Sequence, residues 1–137
     1  MTLLLIRHAR AGDREEWQGD DRLRPLDKRG RRQARWLVEL LADYEITRIL
    51  SSPYDRCVQT VEPLSRVRGI EIEAREELGE ELQADEGASL VGSLLGEEVA
   101  ICCHGGLSDV VAGERQKKGE TLVLDGNARV VARLKPD

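Results

Sequence analysis

Phenylalanine is absent from the 137-residue chain, and aromatic residues of every kind make up only 3% of it. Leu, Val, Ile and Ala must therefore fill any core, and the two Trp and two Tyr become positions to watch. Cysteine is scarce as well. Cys57, Cys102 and Cys103 are odd in number and follow no recognisable spacing, which argues against a disulfide framework and fits a reducing compartment. Cys102 and Cys103 end an apolar run and read as buried thiols rather than a redox pair. No apolar stretch approaches the ~20 residues needed to span a bilayer. Met1 leads straight into a short apolar run with no signal-peptide pattern, so a cytoplasmic protein that does not engage a membrane is expected. The chain has no excess of positive charge. Its formal net charge of -5 gives no average field that would draw it to nucleic acid.

What is present argues for a folded chain. Charged residues are 34% and hydrophobic ones 40%, with periodic apolar segments throughout, no internal repeat and no low-complexity linker. The length fits one domain over residues 1–137. Leu3-Leu4-Leu5-Ile6 is wholly apolar and ends in Arg7-His8, the pattern of a strand buried on both faces with functional groups at its carboxyl end. A polar loop from about residue 9 to 26 follows. Asp27 is placed to cap a helix in which Ala34, Leu37, Val38 and Leu41 recur at helical spacing. Residues 47–51 read as a second strand, and Ser52-Pro53 as the N-cap and first position of a second helix through Val58, Val61 and Leu64.

Ile70 and Ile72 mark a short strand, and Leu90 to Leu95 a short helix closed by Gly96. Val99 to Cys103 is another apolar strand ending in a histidine, His104. The tail reads as two strands, 121–124 and 129–134, around an Asp125-Gly126-Asn127 turn. This alternation predicts an α/β fold, a mostly parallel central sheet with helices on both faces. In such sheets ligands bind beyond the carboxyl ends of the strands, where Arg7-His8, Ser51-Ser52 and His104-Gly105-Gly106 all fall.

The chain has only two histidines, His8 and His104, and both directly follow apolar strands. A neutral imidazole held at one ring nitrogen offers the other's lone pair as a nucleophile toward phosphorus. Phosphoryl transfer spreads negative charge over the equatorial oxygens, and guanidinium forks match that geometry. Arg7, beside His8, and Arg56, in the first turn of the second helix, are the candidates to supply them. Each of these residues taken alone has a plainer reading, as a structural histidine or a surface ion pair.

Together they resemble a family. Arg7-His8-Ala9 is similar to the Arg-His-Gly signature of the histidine phosphatase (phosphoglycerate mutase-like) superfamily, with Ala9 in place of the usual Gly. Residues 51–60, Ser-Ser-Pro-Tyr-Asp-Arg-Cys-Val-Gln-Thr, resemble its second motif, and His104-Gly105-Gly106 its third. The segment from Gly19 to Leu26, leading into Lys28-Arg29-Gly30, resembles the small SixA-like phosphohistidine phosphatase branch. It is also similar to the phosphatase half of two-domain proteins that carry a Nudix hydrolase, a half not expected within these 137 residues.

The resemblance implies a phosphoglycerate mutase-like fold and a covalent mechanism in which His8 is phosphorylated. Arg7, Arg56, His104 and Gly105 would surround the phosphoryl oxygens, and neither metal nor other cofactor would be needed. It also implies a general acid in a Leu-x-Glu context, which Leu78-Gly79-Glu80 matches, with Glu77 second among crowded glutamates. Without the long insertions that build a mutase pocket, the expected partner is a phosphorylated protein bearing phosphohistidine. A small phosphomonoester or nucleotide is the second substrate class, and a phosphate-binding module without turnover is the non-enzymatic alternative. Arg10, Arg14, Arg22 and Arg24 would flank the mouth, and Trp17 is either locally packed or a surface for a base. A metal site built from His8, His104, Cys102 and Cys103 lacks the close ligand pairs of structural zinc sites.

Overall fold

A computed structural model describes residues 1–136. Six strands form one mixed sheet: β1 (Leu3–Arg7), β2 (Arg48–Ser51), β3 (Ile72–Ala74), β4 (Val99–Cys103), β5 (Thr121–Leu124) and β6 (Val130–Leu134), in the spatial order β3-β2-β4-β1-β5-β6. β1, β2, β3 and β4 run parallel. β5 pairs antiparallel with β1, and β6 with β5. The two central strands, β4 and β1, are the most buried, and Leu3, Leu4, Leu5 and Ile6 of β1 are each covered on one face or the other.

Four α-helices cover the faces: α1 (Lys28–Leu40), α2 (Asp55–Arg68), α3 (Ala88–Leu94) and α4 (Leu107–Ala112). Right-handed crossovers place connections that step in opposite directions along the sheet on opposite faces. The period-2 alternation of the strands then divides the core. Leu4, Ile6, Ile49, Ala100 and Cys102 pack with Leu37 of α1 and Val61 and Leu64 of α2. Leu3, Leu5, Leu50, Ile101 and Cys103 pack with Val91 of α3 and Leu107 of α4 on the other side. All three cysteines are free and buried, and Cys102 and Cys103 face opposite ways.

The expected cap of α1 is present, the Asp27 carboxylate accepting from the Gly30 amide at 2.7 Å. The start of α2 differs from expectation: the helix begins at Asp55, and Tyr54, not Ser52, is its N-cap. Ser52 is drawn instead to His104, an attraction that local sequence could not register. The 9–26 loop holds one turn of 3₁₀-helix at Asp21–Leu23, and α4, a second 3₁₀ turn at Glu76–Leu78 and one π-helical turn at Gln83–Gly87 complete the elements. Among the described residues no helix is long and apolar enough to cross a membrane.

Candidate active site

β1, β2 and β4 are parallel neighbours in a β2-β4-β1 block, so their carboxyl ends meet at one edge of the sheet. Beyond that edge lies a cleft of about 950 Å³ whose wall includes Arg7, His8, Glu80, His104 and Gly105. The two imidazoles meet edge to face with ring centroids 5.5 Å apart.

His8 is held at every backbone group. Its amide donates to the Cys103 carbonyl at 3.0 Å, and its own carbonyl accepts from the Gly119 amide at 2.9 Å. The next amide, of Ala9, donates to Thr60 Oγ1 at 2.9 Å. In the ring, Nδ1 lies 2.8 Å from the Ala9 carbonyl oxygen, which can only accept, so the proton is on Nδ1 and Nε2 keeps its lone pair. Burial pushes the His8 pKa down to about 3, and the nearby His104, Arg56 and Arg7 push in the same direction. His8 is therefore a neutral base with a free lone pair at physiological pH.

β1 ends at Arg7, which frees its side chain to turn along the cleft. Arg7 Nη1 donates to the Gln116 carbonyl at 2.7 Å, and its guanidinium lies so close to Gly105 that a Cβ there would sit 2.7 Å from Cζ. Arg56 is fully buried, off the cleft wall. It donates to the Asp21 carbonyl at 2.8 Å, to Asp21 Oδ2 at 3.0 Å and to Glu80 Oε2 at 3.1 Å. Glu80, on the cleft wall, also accepts from Arg14 at 2.9 Å. Glu77 is elsewhere, paired with Arg75 at 2.8 Å, so of the two glutamates only Glu80 reaches the site. Tyr54 joins the groups from beneath, its ring under the Arg56 guanidinium at 4.9 Å and edge-on to His104 at 4.6 Å.

Six buried side-chain polar atoms among the described residues have no partner, and three of them are Arg7 Nε, Arg56 Nε and His104 Nδ1. Folded proteins leave few such atoms, because each costs about 1–3 kcal/mol. These three belong to residues close enough to His8 that each acts on its charge.

A model of the histidine phosphatase superfamily (branch 1) matches residues 3–90. The chain belongs to this superfamily. An 8-oxo-(d)GTP phosphatase of Mycolicibacterium smegmatis is 49% identical over 65 residues, a match that takes in 47% of this chain but only 20% of that relative's length. The fold is that of the protein histidine phosphatase SixA solved with tungstate, with a TM-score of 0.82 at 24% identity over 99% of this chain and 97% of that one. A protein described as a SixA phosphohistidine phosphatase, from Agrobacterium tumefaciens, gives 0.79 at 24% identity over 98% of each chain.

Two parts of the site were not visible in the sequence. Gln83, buried in the π-helical turn, accepts from the His104 amide at 3.1 Å and donates to the Gly105 carbonyl at 2.9 Å, clamping the third motif. Its only sequence signal is a glutamine in an acidic stretch, which reads as solvated surface. The second part is a cationic wall. Arg24 lines the cleft but is buried against Asp21, and Arg29, Arg10, Arg115 and Lys118 stand on the same wall. Arg10 pairs with Asp27 at 3.1 Å, but among the described residues Arg29, Arg115 and Lys118 meet no carboxylate. Burial and the nearby Arg7, Arg24 and Arg10 lower the Lys118 pKa. Trp17 is packed locally, its indole donating to the Asp20 carbonyl at 2.9 Å. No group of three or more His, Cys, Asp or Glu among the described residues is placed to hold a metal ion.

Proposed function

We propose that the protein is a phosphatase that works through a phosphohistidine on His8 and acts on protein phosphohistidine. The observation that carries the reading is the set of unpartnered buried nitrogens on Arg7, Arg56 and His104 around a neutral His8. Nε2 attacks phosphorus, and the N–P bond forms as the bond to the leaving group breaks. Arg7, Arg56, His104 and the Gly105 loop carry the charge that spreads over the equatorial oxygens. Glu80, on the cleft wall beside Arg56 and Arg14, is placed to give a proton to the leaving group. Water then attacks the phosphohistidine, loses a proton to Glu80 and releases inorganic phosphate. All positive charge in this scheme comes from side chains, so no metal is invoked.

The wide, solvent-open cleft and the likeness of the fold to SixA support a protein substrate. A second reading, a small phosphate ester or nucleotide, is favoured by the unpaired Arg29, Arg115 and Lys118 and by the partial match to an 8-oxo-(d)GTP phosphatase.

The test is turnover of a generic aryl phosphate in EDTA by wild type and His8→Ala, with a rapid quench for an acid-labile, base-stable phosphoenzyme. Metal-independent release of phosphate that disappears in His8→Ala is expected. Turnover that survives His8→Ala, or that EDTA abolishes, would refute the mechanism. Phosphohistidine proteins and nucleotides compared at equal concentration then separate the two substrate classes.

A further inference from the structure

Ser52 belongs to the second motif yet takes no part in the steps above. It is fully buried, and its Oγ lies 2.9 Å from His104 Nε2. The Tyr54 amide donates to the same oxygen at 3.3 Å, and Cys57 Sγ stands 3.6 Å from the same nitrogen. Nε2 is therefore turned into the protein. Nδ1, buried and without a partner, is the one polar ring atom that His104 can offer to a phosphoryl oxygen.

A neutral imidazole carries a single proton. If it sat on Nε2, Nδ1 would present a lone pair to the phosphoryl oxygens and repel them. If it sits on Nδ1, the ring donates to them. A hydroxyl can pair with either form, so the rest of its surroundings decide. The Tyr54 amide already occupies one Ser52 lone pair, and the hydroxyl proton needs an acceptor of its own. An imidazole nitrogen is a far better acceptor than the neighbouring thiol sulfur.

We propose that Ser52 is a positioning residue: its hydroxyl donates to His104 Nε2 and so holds His104 in the Nδ1–H tautomer, presenting an N–H donor to the phosphoryl group. The inference rests on the reading of His104 as a phosphoryl-binding group. Both histidines would then be Nδ1–H tautomers for different reasons, His8 because a carbonyl accepts at Nδ1 and His104 because a hydroxyl donates at Nε2.

With only two histidines in the chain, long-range ¹H–¹⁵N correlation spectra contain two rings, and the ring that persists in His8→Ala is His104. At roughly pH 8, above the ordinary imidazole range, wild-type His104 is expected to be Nδ1–H. Ser52→Ala is expected to move the proton to Nε2 and to weaken binding of orthovanadate about tenfold, the loss of one charge-assisted hydrogen bond. Ser52→Thr, which keeps the hydroxyl, is expected to keep the wild-type tautomer.

A wild-type Nε2–H tautomer at His104 would overturn the proposal, and this reading needs no variant to fold. So would a Ser52→Ala protein in which either the tautomer or the vanadate affinity is unchanged. The tautomer is read without substrate, whereas failure of the phosphatase mechanism would appear separately, as absence of the wild-type phosphoenzyme.

Discussion

Gly105→Ala isolates Arg7 without touching it. A methyl at residue 105 would lie 2.7 Å from Arg7 Cζ and 2.9 Å from both Nε and Nη2. Non-bonded heavy atoms settle near 3.5–4.0 Å, so the guanidinium must retreat by roughly 1 Å. The atoms displaced are the far end of a flexible side chain, and Gly105 is not among the glycines with positive φ, so its backbone accommodates alanine. Stability should therefore change by less than about 1 kcal/mol, the usual size for a substitution without a buried clash it cannot relieve.

Activity should change much more. Misplacing a catalytic group by ~1 Å costs up to 10²-fold, so kcat/KM for an aryl phosphate is expected to fall about 10- to 100-fold. That is ~1.4–2.7 kcal/mol of lost transition-state stabilisation. Steady-state kinetics and thermal melts on the same preparation are the assay. A Gly105→Ala enzyme within about threefold of wild type would show that Arg7 does not work from the position it occupies here.

Gly30→Ala should act on stability, because its Cβ would stand 1.8 Å from the Arg10 carbonyl oxygen, a backbone atom with little freedom to move. A loss of roughly 1–3 kcal/mol or more is expected, and a melting temperature within about 2 °C of wild type would contradict it. His8 should show no protonation near the ordinary imidazole pKa in an NMR titration, since its own lies at about 3. The unfolded chain binds this proton first. The group therefore costs no stability above the ordinary value, and between there and about pH 3 the folded state loses ~1.4 kcal/mol per pH unit as pH falls. A His8 resonance that titrates near 6.5 would refute this. Lys118→Ala should lower kcat/KM about tenfold for a substrate with a second phosphate, leaving an aryl phosphate within about threefold, if the unpaired wall reads an extra anion. Equal losses on both substrates would remove the wall from specificity.

The motifs that place this chain in the histidine phosphatase superfamily were legible before any coordinates, because their placement is local. An apolar strand followed at once by Arg7-His8, and another followed by His104-Gly105, put those groups at strand ends whatever the rest of the chain does. The two-faced core was legible for the same reason, since period-2 alternation assigns Leu4 and Leu5 to opposite sides. The start of α2 was misread where a local rule met a distant partner: Ser-Pro has the signature of a helix start, but His104 claims the Ser52 hydroxyl. The Leu78-Gly79-Glu80 context already ranked Glu80 above Glu77, but the partners that separate the two, Arg14 and Arg56 for Glu80 and Arg75 for Glu77, come from the tertiary structure. Gln83 and Lys118 left no mark at all, lying in segments whose composition matches solvated surface.

By itself, then, the sequence determined which groups stand at the carboxyl edge of the sheet, through strand periodicity and motifs whose spacing does not depend on tertiary contacts. Only the tertiary structure decided their protonation, orientation and partners. Those depend on burial and on contacts between residues up to 111 positions apart, such as Gln116 reaching Leu5, which no local pattern encodes.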